Sequence, residues 1–254
     1  MSILGTKEWM PHNENCMKGC KNNCRYCYAK KRAIRYKRAT AENWHIMEPN
    51  KRSLKPIRYL KGGVMFPTTH DLHIEHADIW MPFLRGLLEK GNDVLIVTKP
   101  QFAAIHAICR QFYKYADQIE FRFTIGTLNE ETRAFWEPGA PTIHERIQAL
   151  QFAFETGYPT SVSMEPLLTS TPGMVVNEVY PFVTGTIWIG LMNYLKASDF
   201  SESELGWYSK QCAINCKPNM QRVYESLKDN PKIRWKDSVQ DLLGITQNGE
   251  IKGV

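Results

Sequence analysis

No apolar run in these 254 residues is long enough to span a bilayer. The opening segment MSILGTKEWM also lacks the charged start and long apolar centre of a secretory signal. Internal repeats, low-complexity segments and linker-like stretches are absent as well, so one domain covering residues 1–254 is the economical reading. These absences lead us to expect a cytoplasmic protein. Cysteine is sparse, seven in all, and the odd total suits thiols that are not paired off. In a reducing compartment, clustered thiols serve as metal ligands or catalytic groups more often than as disulfides. An apolar fraction of 43% and seven tryptophans argue against disorder.

Acidic residues are scarce at one end only. Residues 1–61 carry fifteen Lys/Arg against four Asp/Glu, whereas the rest of the chain carries seventeen against twenty-two. The basic run Tyr28–Arg38 opens the first helix, and steps of three and four put Lys31, Arg32, Arg35 and Arg38 on one side. Lys51, Arg52, Lys55, Arg58 and Lys61 broaden this basic region over residues 28–61. A charged helix face is commonly just solvated. This one also suits nucleic acid or another polyanion, or an acidic redox protein.

What is concentrated is thiol. Four of the seven cysteines fall in twelve residues, Cys16-x3-Cys20-x3-Cys24-x2-Cys27, in a polar loop with Lys18, Lys21, Asn22, Asn23 and Arg25. Scattered core cysteines would have apolar neighbours, so the pattern points to metal. Soft thiolates suit iron–sulfur clusters or zinc. A three-residue gap followed by a two-residue gap lets one tight loop wrap three sulfurs around a single cluster. Structural zinc sites usually draw on two separated pairs, although Cys16 could supply a fourth ligand. Both metals stay open on spacing alone.

Past Gly62, short β-type runs alternate with helical patterns. The strands read as Val64–Pro67, Asp93–Thr98, Ile119–Thr127, Pro159–Leu168 and Thr186–Met192, with another expected among residues 2–14. Helices read as His76–Gly91, Gln101–Gln118 and Thr142–Gly157, with Thr142 as N-cap and Gly157 as stop. A longer helical tract, 201–229, is interrupted at Pro218. Alternation of this kind gives an α/β fold with a parallel sheet. Six units suit a partial barrel, and a doubly wound open sheet is the competing architecture. Residues 43–61 read as a surface insertion, residues 1–195 as the core and 196–254 as a helical extension. In both architectures ligands bind at the carboxyl ends of strands. That rule selects 16–27, 68–75, Lys99, 124–129, Glu165 and 193–194.

Cys20-x3-Cys24-x2-Cys27, with Tyr26 just before the third cysteine, resembles the signature of the radical S-adenosylmethionine superfamily. Within it, the chain looks most like the spore photoproduct lyase-like branch, over roughly residues 12–195. That likeness rests on Cys24–Ala29, on Thr69-His70-Asp71 with Glu75, and on Thr98-Lys99. Glu137-Pro138 with Pro141 and Arg146, and Glu165-Pro166, complete it. The resemblance implies a partial (β/α)6 barrel of the TIM type and a four-iron, four-sulfur cluster held by Cys20, Cys24 and Cys27. It also implies S-adenosylmethionine bound at the open iron and cleaved to a deoxyadenosyl radical. By position, Tyr26 and Tyr28 would flank cluster and adenine, and His70 and Asp71 would lie near the ribose or methionine. Lys99 would approach the carboxylate and Thr124 would offer a hydroxyl; Glu165, a carboxylate in an apolar strand, points either into the site or into an ion pair at the barrel base, and the first is the preferred reading. A flavodoxin- or ferredoxin-type electron donor is implied as partner.

Two departures stand out. Thr69 occupies the position where lyases of this branch carry a hydrogen-donating cysteine. Phe66-Pro67-Thr68-Thr69 replaces the glycine-glycine-glutamate segment that usually holds the methionine amine. Of the remaining groups, Asp71 and Glu75 could cap the next helix, Arg146 reads as a surface pair, and His73 and His76 read as surface residues. Cys109 reads as buried. Cys212 and Cys216, one helical turn apart, could join Cys16 in an auxiliary cluster, but two core-facing helix cysteines is the preferred reading. The alternative for the whole chain is a non-catalytic zinc or iron–sulfur protein that binds nucleic acid through its basic face.

Overall fold

The computed structural model describes residues 5–51 and 55–250, so Arg52 of the basic region lies outside the described residues. Nine strands occur in chain order among them. They are β1 (His12–Asn13), β2 (Met17–Lys18), β3 (Glu48–Pro49), β4 (Val64–Met65), β5 (Val94–Thr98), β6 (Ile119–Thr124), β7 (Thr160–Met164), β8 (Ile187–Ile189) and β9 (Ile233–Trp235). Seven of them form one sheet in the order β1-β4-β5-β6-β7-β8-β9, parallel throughout. The sheet curls into a half-barrel, as the partial-barrel expectation required. A seventh strand follows the expected six: β9 lies within residues 196–254, so that segment extends the sheet and is not purely helical.

Helices cover the outer face because alternate strand residues point outward and are apolar. Ile96, Phe121, Phe123, Val162, Met164, Ile187 and Ile189 pack in one core with Trp80, Leu84 and Leu87 of α2 (Ala77–Glu89). Ile105 and Ile108 of α3 (Phe102–Gln111), Leu150 of α5 (Ile143–Glu155) and Val176 of α6 (Pro172–Val179) complete that layer. Cys109 joins this core, as expected. Thr142 caps α5, its Oγ1 accepting from Glu145 N at 3.2 Å. Two helices, α7 (Leu205–Asn215) and α8 (Lys217–Leu227), divide the C-terminal tract at Cys216, two residues ahead of Pro218, where the interruption is expected.

The inner face is polar. Arg122 stacks over Trp9 at 4.8 Å and Trp188 at 5.3 Å, and Lys236 lies 4.4 Å from the Trp9 ring. Lys236 Nζ is 2.6 Å from Glu8 Oε2 and donates to Gly5 O at 2.9 Å, while Gln240 Nε2 donates to Glu8 Oε1 at 2.9 Å. The first described residues therefore tie the β1 side of the open barrel to the β9 side.

Residues 43–61 are more than a surface insertion. β3 pairs antiparallel with β2, and Trp44, Met47 and Leu60 are buried. The carbonyl of Trp44 accepts from Cys20 N at 2.9 Å. Gly19, at φ +77°, makes the approach feasible: a Cβ there would sit 2.1 Å from Ile46 O.

Candidate functional site

The cysteine loop follows β1 and β2 and ends where α1 (Tyr28–Arg35) begins. Cys27 is the N-cap of α1, its sulfur accepting from Lys30 N at 3.4 Å. Neighbouring loops hold the cysteine loop through its backbone. Arg25 N donates to Trp136 O at 2.9 Å, and Gly139 N donates to Asn22 O at 3.1 Å. Gly139 is required by that approach, since a Cβ would meet Lys21 O at 2.3 Å. Cys20 and Cys24 are buried and Cys27 is half-buried.

Burial pushes all three thiols up, Cys24 to about 12. Cys20 is raised further by Asp71 and by the other two cysteines, whereas Lys99 draws Cys24 and Cys27 down. Thiols this reluctant to ionise become thiolates when a metal supplies the positive charge, so the donor set suits metal binding. Among the described residues no three His, Cys, Asp or Glu side chains are grouped to hold a metal ion.

Lys99 follows β5 and faces this loop. Burial alone would lower its ammonium, but Cys24, Asp71 and Glu137 hold it raised, so it stays protonated. Its Nζ lies 5.6 Å from the Tyr26 ring centroid and has no ion-pair or hydrogen-bond partner among the described residues. Tyr26 donates its hydroxyl to Glu137 Oε1. Glu137 in turn pairs with Arg146 at 2.5 Å, both side chains only 1% exposed. Arg146 is thus a buried ion pair and not the surface pair expected from its helix. Its guanidinium also donates to Pro141 O at 3.0 Å and Thr124 O at 3.1 Å.

The other anticipated contacts are distributed around the mouth. Tyr28 donates to Thr68 O at 2.6 Å, and Asn15 Oδ1 accepts from both Thr68 N and Thr69 N at 2.8 Å. His70 is buried, which pushes it down to about 4 and keeps the ring neutral; Nδ1 lies 3.1 Å from Asp71 O. Nε2 of His70 is buried without a partner among the described residues. Thr124 ends β6 and is buried. Glu165 follows β7; burial pushes its carboxyl up to about 7, against the pull of Lys236 at 3.8 Å. Glu75 instead pairs at the surface with Lys21, at 2.5 Å.

Three readings change. His73 is buried, with its carbonyl accepting from Trp80 Nε1 at 2.8 Å, so it is no surface residue. Cys16 is fully buried in the main core, apart from the smaller cluster of buried residues that contains Cys20. Cys216 is exposed and Cys212 half-buried, so they are not core-facing, and the described residues do not gather them with Cys16. Beyond Tyr26 lies a cleft of about 200 Å³ lined by Arg25, Lys30, Lys31, Trp136, Met192, Tyr194 and Phe200. None of Lys99, His70, Asp71, Thr124 or Glu165 lines it.

No family model matches the chain. A solved spore photoproduct lyase with a cysteine-to-alanine substitution, bound to dinucleoside spore photoproduct, superposes with a TM-score of 0.54 over 80% of this chain. A cysteine-to-serine variant gives 0.55 over 83%; both are 13% identical in sequence. The chain has the fold of spore photoproduct lyase. It spans 60% and 63% of the length of those two lyase chains. It is also 24% identical, over 184 residues, to the uncharacterized protein MJ0683 of Methanocaldococcus jannaschii; the match covers 71% of this chain and 69% of that one. At these identities the likeness to the lyase is one of fold. No described helix is long and apolar enough to cross a membrane.

Proposed function

We propose that this chain is a radical S-adenosylmethionine enzyme in which Cys20, Cys24 and Cys27 hold a four-iron, four-sulfur cluster. The observation that carries the reading is the three-thiol loop at the carboxyl end of a parallel half-barrel, with a protonated and unpaired Lys99 facing it. When bound by these three thiolates, the cluster would supply the single electron for reductive carbon–sulfur cleavage of S-adenosylmethionine and so the chemistry of hydrogen abstraction. The chain's own groups orient the cofactor. Lys99 offers a cation to the methionyl carboxylate. Tyr26 and Tyr28 wall the cluster and adenine, and Thr124, Glu165 and the neutral His70 provide polar contacts at the mouth. Thr69 offers no thiol, so the fate of the substrate radical differs from any route that needs a cysteine donor there. A flavodoxin- or ferredoxin-type protein delivers the electron.

Anaerobic reconstitution with iron and sulfide tests the cluster. The protein is expected to turn brown and to carry iron and sulfide in equal amounts. Colourless protein holding stoichiometric zinc would favour the non-catalytic alternative.

The basic surface supports a polyanionic substrate or partner, with nucleic acid the leading class. Arg32, Arg35, Lys37 and Arg38 are exposed and have no ion-pair partner among the described residues. Tyr36 is 58% exposed, with the guanidinium groups of Arg35 and Arg38 5.8 and 5.4 Å from its ring centroid, a combination of aromatic and cationic groups that suits a base and its flanking phosphates. Single-stranded DNA or RNA should bind at low salt and weaken steeply as salt rises. Arg32→Glu with Arg35→Glu should lower affinity about tenfold or more. Absence of binding at low salt would overturn this part.

A further inference from the structure

The side chain of Asp71 is almost fully occupied by the protein itself. Oδ1 accepts from Thr98 Oγ1 at 2.8 Å and from the backbone N of Lys99 at 2.7 Å. Oδ2 accepts from Asn22 Nδ2 at 2.7 Å, with the Cys20 thiol at 3.6 Å. One buried carboxylate thereby joins two chain segments that are far apart in sequence. On one side is the cysteine loop, through Asn22, which is fully buried and whose carbonyl also receives Gly139 N. On the other is the end of β5, where Lys99 begins. A carboxylate oxygen has two acceptor sites, so Oδ1 is saturated by Thr98 and Lys99.

Hydrogen bonds to a buried carboxylate are charge-assisted, and such networks define one geometry where neutral contacts would allow several. The Lys99 side chain is flexible, but its backbone origin is not, because the amide that starts it is held by Asp71. We propose that Asp71 is a positioning residue that sets the spacing between the cysteine loop and Lys99, and so between the cluster and the carboxylate of S-adenosylmethionine. This rests on the reading given under Proposed function and reassigns Asp71 within it, from a direct contact with the cofactor to the strut between its two binding elements.

Two variants break one arm each without changing Asp71. Asn22→Ala removes the donor on the loop side, and Thr98→Val removes the hydroxyl on the strand side. Asp71→Asn keeps an acceptor for Thr98 and Lys99 but removes the charge and the acceptor that face Asn22 Nδ2; the loop arm loses its charge assistance, and a bond there returns only if the Asn22 amide turns its unpartnered Oδ1 toward the new N–H. In anaerobically reconstituted protein, iron per chain should match the wild type in all three. The dissociation constant for S-adenosylmethionine should rise about tenfold in each, the size of one hydrogen bond to a charged group. The Asn22→Ala/Thr98→Val double variant should fall well short of the product of the single effects, because both arms serve one strut. In protein without a cluster, hydrogen exchange should accelerate at residues 20–25 in Asn22→Ala and at 98–100 in Thr98→Val, and at both in Asp71→Ala.

Affinities within twofold of wild type in both single-arm variants would overturn the proposal. So would loss of affinity in Asp71→Asn with none in Thr98→Val and Asn22→Ala, the outcome of direct contact between Asp71 and the cofactor. If the wild type assembles no cluster, the radical-enzyme reading fails. The exchange experiment then still decides the strut, since acceleration confined to residues around 71 in Asp71→Ala would refute it.

Discussion

Arg146→Leu should destabilise the protein by about 3–5 kcal/mol, because it strands the Glu137 carboxylate in a buried site. The pair is 1% exposed on both sides, so water cannot take over when the guanidinium goes. Loss of the partner also frees the Glu137 end of the Tyr26 hydrogen bond and removes the donors to Pro141 O and Thr124 O. For a chain of this size, each kcal/mol lowers the melting temperature by about 2–4 °C. Arg146→Lys should recover part of the loss, restoring charge but not the planar fork that reaches two carbonyls as well as the carboxylate. Denaturant titration followed by tryptophan fluorescence reads these values. A cost below about 1 kcal/mol would mean that the pair is solvated, as surface pairs are, and contribute little.

Cys24→Ala should leave no iron–sulfur chromophore and no cleavage of S-adenosylmethionine, with a melting temperature close to that of the cluster-free wild type. The informative comparison is Cys16→Ala. Cys16 sits in the apolar core with Met17 and Leu72, so its loss should cost on the order of 1 kcal/mol in stability and leave iron content unchanged. Iron analysis and thermal unfolding of the two variants therefore move in opposite ways. Iron lost from Cys16→Ala and kept in Cys24→Ala would reverse the assignment of thiols.

Much of the fold was legible because strand and helix periods differ and because the parallel strands are apolar on their outer face. β5, β6 and β7 fall inside the runs expected for them. β9 was not legible. Three residues, Ile233–Trp235, carry too little periodicity to separate them from the helical tract before them, and only pairing with β8 defines the strand. The cysteine spacing was legible because the three thiols share one short loop. Its supports were not, since Asn15, Asn22, Gly139 and Trp136 act through contacts made by distant segments. The burial of Arg146 is hidden in the sequence for a related reason. A helical arginine reads as solvent-facing unless the acid it meets, here Glu137 at the end of α4 (Glu130–Trp136), is known to lie beneath it. Cys16 belonged by spacing to the metal run and by burial to the core, and burial is not visible in spacing.

The charge asymmetry of the sequence also acquires a location. Lys21, Arg25 and Lys31 are neutralised by Glu75, Glu204 and Asp199, all supplied by the acidic remainder of the chain. Arg32 and Arg35 of α1, and Arg38 in the turn after it, have no such ion pair among the described residues, so the residual positive surface begins within α1, at Arg32.

The most direct test of the account is product analysis after reduction of the reconstituted protein with dithionite in the presence of S-adenosylmethionine, under strict anaerobiosis. Formation of 5′-deoxyadenosine and methionine in equal amounts, dependent on reductant and absent from Cys24→Ala, is the predicted result. An intact iron–sulfur protein that leaves S-adenosylmethionine uncleaved under these conditions would contradict it.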